Sequence, residues 1–303
     1  MKPSFCLIFR LFCVPLRLFN FCAFCAFLRL FLLRAFLRFN SAMLSRVLTE
    51  KLFSAGEFRF SLGIGSVEPS DFFRNVEGHR LLEIRRQALD SSVSDYLHAI
   101  RDQGIWSAVQ DFVNGLEPGA DTTSIDNLGR SWEPDFVVLD RVAPHQVRGG
   151  CVCFPSGWSL REKIDKSLFL THAPVPGLND DLRANISKLL SKIDGGQFFQ
   201  RTNWGLTGAA ELDQHPRHKI PAIAAEADPQ RVYLRIEWQV LTAISAAALL
   251  FGIRVFHVPV EEVKSSSELG SRLARNLETM PDAVAQYKRL DQCRGWLVKY
   301  LRE

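Results

Sequence analysis

The amino-acid sequence predicts an α+β fold in which helices flank an antiparallel sheet. Apolar runs of strand length occur at residues 135–142 and 149–158, and again from Ala247 to Val258. Amphipathic helical patterns precede, separate and follow these runs. Since 47% of the residues are hydrophobic and 23% are charged, the chain has the composition of a globular protein with a buried core.

The first elements after the N-terminal region are mainly helical. Residues 57–65, which include FRFSLGIG, alternate polar and apolar side chains and predict a short strand. Ser70 or Asp71 can cap a helical region that continues in a broken pattern to about Leu116. Residues 117–129 are rich in glycine, proline, aspartate and threonine, which predicts a loop before the first long strand.

Later helices are predicted from their caps and apolar faces. NDDLRANISKLLSKI has one apolar face, and Asn179 or Asp180 is the expected cap. In the tail, helices are expected to begin near Ser266 or Ser267 and near Pro281. Because no internal repeat and no linker interrupts these elements, residues 57–303 are expected to form a single domain.

The apolar run at residues 231–260 is too long for one strand. Arg235 and Gln239 are four residues apart, as on one face of a helix. The sequence therefore predicts a helix through about Ile244 and a buried strand after it.

The first 49 residues form a leader with seven basic residues, four cysteines and no acidic residue. Arginines interrupt its Phe- and Leu-rich segment, so no apolar run reaches the roughly 20 residues of a spanning helix. We therefore expect an organellar presequence, a membrane-associated segment, or a true start at Met43, where MLSRVLTEKLF has one apolar helical face. We therefore expect an intracellular protein, which the leader would direct to the mitochondrion or attach to a membrane.

Outside the leader only three cysteines remain, an odd number that does not make a disulfide framework. Cys151 and Cys153 lie two residues apart on a predicted strand, so their side chains share a face and we expect buried thiols. No further Cys or His stands at the spacing of a zinc site. Because no basic stripe with interleaved aromatic residues occurs, nucleic acid is not an expected partner.

The sequence has no nucleophile elbow, phosphate loop or HExxH motif. The candidate site residues lie instead in three other segments. The first is VCFPSGWSLREKIDKSLFLTHAPVPG, residues 152–177, and the others are RTNW and LRIEWQ. Pro174 and Pro176 disfavour helical backbone at the residues before them, which predicts a stiff extended arm that fixes His172. Taken singly, each segment also fits a core histidine, a core tryptophan or a structural ion pair.

In order and spacing, FPSGWSLREKIDKSLFLTHAPVPG, RTNW and LRIEWQ resemble the alpha-subunit-like family of haem-dependent oxidative N-demethylases. The resemblance extends from about Glu57 to the C-terminus. Further matches are FRFSLGIG, PDFVVL at residues 134–139, LFGIRVF, and the tail pair Tyr287 and Lys288. Each segment is short, and the combination is what makes the resemblance specific.

This resemblance implies a PAS-like domain that binds haem b and acts as a monooxygenase on a small amine. Oxygen and two electrons from a separate flavin or iron–sulfur reductase would hydroxylate an N-methyl group. The resulting carbinolamine would break down to formaldehyde and the demethylated amine. The implied partners are therefore the amine and the reductase.

The resemblance also implies roles for individual residues. His172 is the predicted axial ligand of the iron, and His257 is its rival because it too stands shortly before a proline. Glu237 is predicted to face the ammonium group of the substrate, and Arg235 to orient that carboxylate. Contacts to the haem propionates or the pocket wall are predicted for Lys163, Arg201, Asn203 and Trp204.

Three positions depart from the family's pattern. Trp238 occupies the place of an arginine in the family's LRVERQ, an Arg-Leu-Pro sequence is absent at residues 242–245, and Asp165 stands where glycine is common. If these segments shape the substrate pocket, the chain would bind haem without turnover, as a sensor or carrier. A cofactor-free relative in which His172 packs in the core is the remaining alternative.

Overall fold

The computed structural model of the protein describes residues 41–303, without the side chains of residues 41–43 and Glu50. Residues Leu44–Glu303 form one compact unit. Most of the predicted leader lies outside the described residues. Among the helices within residues 41–303, none is both long and apolar enough to cross a membrane.

The secondary structure of the described residues mixes short helices with a few long strands. The helices are α1 (Ser41–Val47), α2 (Pro69–Phe73), α3 (His79–Ser91), α4 (Val93–Tyr96), α5 (Gln103–Leu116), α6 (Ile125–Ser131), α7 (Leu168–His172), α8 (Leu178–Leu190), α9 (Val260–Ser265), α10 (Ser267–Thr279), α11 (Asp282–Tyr287) and α12 (Arg294–Arg302). The strands are β1 (Gly65–Ser66), β2 (Leu97–His98), β3 (Asp135–Asp140), β4 (Val147–Cys151), β5 (Phe199–Thr207), β6 (Tyr233–Ala243) and β7 (Ala248–Pro259). Single 3-10 turns occur at Glu50–Leu52, Pro216–His218 and Pro229–Arg231.

All seven strands join one sheet in the order β1-β5-β6-β7-β3-β4-β2, and every pairing is antiparallel. The α+β prediction is therefore confirmed. In β5, β6, β7 and β3, odd-numbered residues pair with odd-numbered residues. Since side chains alternate along a strand, the odd-numbered residues of these strands share one face, the odd face, and the even-numbered residues share the other, the even face.

The odd face has an apolar region near the β6–β7 turn. Val137, Leu139 and Leu249 pack there against Leu182 and Ile186 of α8. Burial of each large aliphatic side chain stabilises the fold by roughly 1.5–3 kcal/mol. Helix α8 therefore covers this part of the sheet.

The even face packs against aromatic side chains of α2 and α5. The Trp238 ring contacts Phe72 at 5.0 Å between centroids, and Phe73 contacts Phe112 at the same separation. A Cβ atom at Gly252 would lie 2.6 Å from Phe72, so this glycine lets the aromatic pair approach the strand. The two faces thus have separate cores.

The predicted helix at 231–244 is wrong, because this segment is the long strand β6. It pairs with β7 along its whole length on one side and with β5 as far as Leu241 on the other. Arg235 and Gln239 share a face in a strand as well as in a helix, so their spacing does not separate the two structures. The predicted strand from Ala247 to Val258 is confirmed as β7.

The other predicted elements are partly confirmed. Of residues 57–65, the paired strand contains only Gly65, followed by Ser66. Helix α8 is confirmed, but its N-cap residue is Gly177 in the left-handed region rather than Asn179 or Asp180. Ser266 caps α10 as predicted, since its side chain accepts a hydrogen bond from the Leu269 amide.

The apolar face predicted for MLSRVLTEKLF is buried in the unit that begins at Leu44. Leu44, Val47 and Leu52 are at most 8% exposed. Cys151 and Cys153 are free and buried, with their sulfur atoms 3.8 Å apart, as the sequence predicts. These residues belong to the folded core.

Gly150→Ala is expected to destabilise the protein strongly. Gly150 has φ of +149°, and a Cβ atom there would overlap the carbonyl oxygen of Phe136 on β3. Overpacking and backbone strain together give an expected loss of about 3 kcal/mol or more. Urea denaturation would measure it. Gly115→Ala near the end of α5 is the control, since nothing lies within 4 Å of its Cβ position and a change of less than about 1 kcal/mol is expected there.

Candidate cofactor and substrate site

Polar side chains gather on the odd face, beyond the region that α8 covers. Within the sheet Arg201 lies opposite Gln239, Asn203 opposite Glu237, and Arg235 opposite His257. Arg235 and Glu237 are only 3% and 8% exposed. A buried charged group is expensive unless it is well hydrogen-bonded, so this cluster requires a dense network.

A chain of hydrogen bonds runs from His257 to Glu237. Arg235 donates from Nη1 to His257 Nε2 at 2.8 Å and from Nε to Ser156 Oγ at 2.7 Å. Ser156 Oγ then donates to Glu237 Oε1 at 2.5 Å. Ser156 therefore bridges the arginine and the carboxylate, which make no direct ion pair in the described structure.

The Glu237 carboxylate also accepts hydrogen bonds from two amides. Asn203 Nδ2 donates to Oε2 at 3.2 Å, and Gln239 Nε2 donates to the same oxygen at 2.8 Å. Three donors fix the orientation of the carboxylate while leaving lone pairs free for a further donor. The arrangement is suited to hold a cationic group of a ligand.

Ser156 is positioned by a loop that Asp135 anchors. The backbone amides of Cys153 and Phe154 each donate to the Asp135 carboxylate at 2.8 Å. Arg235 Nη2 in turn donates to the Phe154 carbonyl at 2.8 Å. The loop after β4 is thus tied to β3 on one side and to β6 on the other.

Three basic side chains, those of His172, Arg201 and Lys163, lie beside this network, and none of them makes an ion pair among the described residues. Burial, together with the positive charges of Arg201 and Lys163, lowers the pKa of His172 to about 4. Burial also lowers the pKa of Arg201, which the Glu237 carboxylate partly offsets. His172 is therefore neutral at pH 7, with a lone pair on one ring nitrogen.

Two buried nitrogen atoms of this cluster lack partners. Within residues 41–303, neither His172 Nδ1 nor Arg201 Nε has a hydrogen-bond partner. An unsatisfied buried polar atom costs about 1–3 kcal/mol. A buried polar atom without a protein partner is expected where water or a ligand supplies the missing hydrogen bond.

The predicted stiff arm around His172 is wrong. His172 ends the short helix α7, whose N-cap Ser167 accepts a hydrogen bond from the Leu170 amide. Ala173 before Pro174 remains helical, with φ −53° and ψ −33°. The Val175 amide donates to the His172 carbonyl at 3.0 Å. A helix end and a turn, rather than an extended arm, hold the histidine.

The rival histidine is already occupied on both ring nitrogens. Its Nε2 accepts from Arg235, so its Nδ1 carries the proton and donates to the Ala210 carbonyl at 3.2 Å. Iron ligation by His257 would require the loss of one of these bonds. His172 has no such bond to lose.

Trp204 lies apart from the other predicted contacts. It is on the even face, where its ring packs against Phe53 at 5.2 Å between centroids. Its carbonyl oxygen accepts a hydrogen bond of 2.7 Å from Lys288. Burial lowers the pKa of Lys288 to about 8, against the opposing effect of Glu237. The C-terminal segment thus places the side chain of Lys288 at the edge of β5.

The sequence interpretation missed Ser156, Gln239 and Lys288 as site residues. The strand period would have placed Gln239 beside Glu237, but the helical assignment of residues 231–244 concealed it. Nothing in the sequence indicates that Ser156 bridges two side chains about 80 positions away.

The residues present fit a haem. His172 offers an unpartnered nitrogen, Arg201 and Lys163 offer positive charge for two propionates, and Phe169 and Phe199 are partly exposed apolar side chains in the same region. Within residues 41–303 no group of three or more His, Cys, Asp or Glu side chains is placed to hold a bare metal ion.

The fold and these residues define an α+β protein with a cluster of basic side chains beside a buried carboxylate network on one face of its sheet. A family model described as haem-dependent oxidative N-demethylase, alpha subunit-like, matches residues 102–298, about two thirds of the chain. The chain belongs to this family. The match includes β3 to β7 and all residues of the site described above.

The departures from the family's pattern have distinct positions. Trp238 and Thr242 lie on the even face, away from Glu237 and His172. Asp165 has φ of +59°, a left-handed conformation in which glycine is favoured, and its side chain pairs with Arg148 at 3.3 Å. None of the three lies in the hydrogen-bonded network of Glu237.

Acid is expected to destabilise the protein through its buried histidines. The pKa of His257 is lowered to about 3 by burial and by Arg235, and that of His172 to about 4. Between these values and the unfolded value near 6.5, the unfolded state binds more protons, so stability falls as pH falls, by up to about 1.4 kcal/mol per pH unit for each group. Urea denaturation from pH 7 to pH 4.5 would measure the slope, and His257→Gln should reduce it.

Proposed function

We propose that this chain binds haem and oxidises an N-methyl group of a small amine. The observation that supports this most is the buried, unpartnered Nδ1 of a neutral, partly buried His172 beside Arg201 and Lys163. Family membership supports the same cofactor. Haem, when bound, would supply oxygen activation.

In this proposal His172 would bind the haem iron, because an imidazole that is neutral at pH 7 needs no deprotonation to bind iron. Arg201 and Lys163 would hold the propionates by charge-assisted hydrogen bonds. The two cations would then gain ion pairs, which they do not make among the described residues. Asn203 supports Glu237 by its hydrogen bond of 3.2 Å rather than contacting the haem directly.

Glu237 binds the ammonium group of the substrate, and Arg235 and Ser156 hold the carboxylate in place. A protonated amine brings N–H donors that match the free lone pairs of the carboxylate. Burial strengthens this attraction, since the carboxylate is only 8% exposed. Substrates without a positive charge should therefore bind more weakly.

The overall reaction consumes the amine, O2, two electrons and two protons, and gives water, formaldehyde and the demethylated amine. The electrons must come from another protein, for which we propose a flavin or iron–sulfur reductase. The description of the family as alpha-subunit-like supports a partner chain. An antiparallel sheet with the candidate site on one face supports the PAS-like domain that the resemblance implies.

Haem titration of the purified full-length protein tests the cofactor. A saturable Soret band is expected, and its absence would refute the proposal. The reaction is tested separately by adding dimethylamine, oxygen and a reductase, with formaldehyde as the measured product. Haem binding without formaldehyde across a series of methylamines would instead favour a sensor or carrier.

A further inference from the structure

Tyr96 makes no contact with the Glu237 carboxylate, yet it is hydrogen-bonded to both loops that hold the Glu237 network. It is fully buried at the end of α4. Its carbonyl accepts a hydrogen bond of 2.7 Å from the Val152 amide, where the loop after β4 begins. Its phenol hydroxyl donates to Asp213 Oδ2 at 2.5 Å, in the segment 208–219 that follows β5 and that we call the 208–219 loop. One residue thus connects two loops that are distant in sequence.

This second loop supplies two backbone carbonyls to the network. The Ala210 carbonyl accepts a hydrogen bond of 3.2 Å from His257 Nδ1. The Gln214 carbonyl accepts one of 3.1 Å from the Gly157 amide, and Gln214 also forms a single parallel β-bridge with Ser156. The position of the loop therefore sets the position of the histidine that Arg235 contacts and of the serine that bridges to the carboxylate.

The Asp213 carboxylate organises this loop from within. Its Oδ1 accepts a hydrogen bond of 3.0 Å from the His215 amide, and His218 Nε2 donates to its Oδ2 at 2.7 Å. Among the described residues, Tyr96 is the donor to this carboxylate that comes from outside the loop. The phenol thus fixes the folded loop to the body of the protein.

The phenol remains a donor at neutral pH. Burial, together with the hydrogen bond to Asp213 and its negative charge, raises the pKa of Tyr96 well above its usual value. A hydrogen bond to an ionised acceptor is stronger than one between neutral groups. Arg217 also ties the loop to Asp95 at 3.1 Å, but both side chains are about one-third exposed, so that solvent weakens this ion pair.

We propose that Tyr96 is a positioning residue of the amine site. Through Asp213 it holds the loop whose carbonyls fix His257 and the turn at Ser156, and these residues in turn orient the Glu237 carboxylate. The inference rests on the proposed function for the ligand that Glu237 binds. The placement of the loop itself does not depend on haem or on an amine.

The first test uses full-length protein without haem in which the histidines are labelled with nitrogen-15. The Nδ1 proton of His257 should exchange with water about ten-fold faster in Tyr96→Phe, because loss of a hydrogen bond to a charged acceptor loosens the loop that contains Ala210. His257→Gln identifies the resonance. Tyr300→Phe is the matched control and should leave the rate unchanged, since its phenol makes no hydrogen bond among the described residues. An unchanged rate in Tyr96→Phe would overturn the proposal.

A second measurement separates positioning from a general loss of structure. With haem, a reductase and dimethylamine, Tyr96→Phe should raise KM about five- to ten-fold and change kcat by less than about two-fold, because a misplaced carboxylate weakens amine binding. Loss of folded protein alone would lower kcat at unchanged KM, and this outcome would contradict the proposal. If the wild-type protein forms no formaldehyde, the proposed reaction fails, whereas the exchange rate at His257 still decides the role of Tyr96.

Variants of the loop carboxylate keep the test decisive if Tyr96→Phe does not fold. Asp213→Ala should accelerate exchange at His257 at least as much as Tyr96→Phe. Asp213→Asn retains an oxygen that accepts from the phenol and should restore most of the protection. The double variant Tyr96→Phe/Asp213→Ala should add little to Asp213→Ala, since both changes remove the same hydrogen bond. Additive effects would show that the two residues act independently and would refute the proposal.

Discussion

His172→Ala is expected to abolish the Soret band that haem gives with the wild-type protein. The histidine is neutral because burial lowers its pKa to about 4, and its Nδ1 lacks a partner among residues 41–303. Loss of a residue that only supports a metal ligand weakens binding roughly 10- to 100-fold. Loss of the ligand itself should weaken haem binding by more than this. Titration of haem followed by absorbance would measure the change.

His257→Gln is the matched control, because this histidine is the other buried candidate. Its two nitrogens already bond to Arg235 and to the Ala210 carbonyl, so the variant should retain the Soret band. Thermal unfolding of both variants separates lost ligation from lost folding. If His172→Ala keeps wild-type haem affinity while His257→Gln loses it, the assignment of the ligand is wrong.

Asp135→Ala is expected to give a large loss of stability. Asp135 is 1% exposed and pairs with Arg85 at 2.6 Å, and it also accepts the two amide hydrogen bonds that anchor the loop after β4. Removal leaves a buried guanidinium without its carboxylate, which costs about 3–5 kcal/mol. Urea denaturation would measure the change in unfolding free energy.

The control for this loss is an ion pair at the surface. Glu83 pairs with Arg86 at 3.6 Å, and its side chain is 56% exposed. Glu83→Gln should therefore change stability by less than about 0.5 kcal/mol. A loss of similar size in both variants would contradict the importance assigned to burial.

Asp135→Ala should also weaken haem binding, since the loop that positions Ser156 and Arg235 depends on this carboxylate.

The sequence predicted those elements whose local signals are strong. β3 and β7 follow from apolar runs, and α8 and α10 follow from apolar faces with clear boundaries. β6 was missed because residues four apart share a face in both a helix and a strand, and only its pairing with β5 and β7 distinguishes the two. The spacing of the two prolines suggested an extended arm after His172. Hydrogen bonds among residues 167–175 instead stabilise the end of a helix and a turn.

By itself, the sequence determined the α+β class, the residues of the site segments and the family that the match over residues 102–298 shows. Only the tertiary structure supports His172 over His257 in this proposal, because the choice depends on which ring nitrogens have partners from distant parts of the chain. His257 is occupied by Arg235, whereas His172 is placed beside Arg201 and Lys163 with an open nitrogen. The hydrogen bonds by which Ser156 links Arg235 to Glu237 likewise form only when β4, β6 and β7 come together in one sheet.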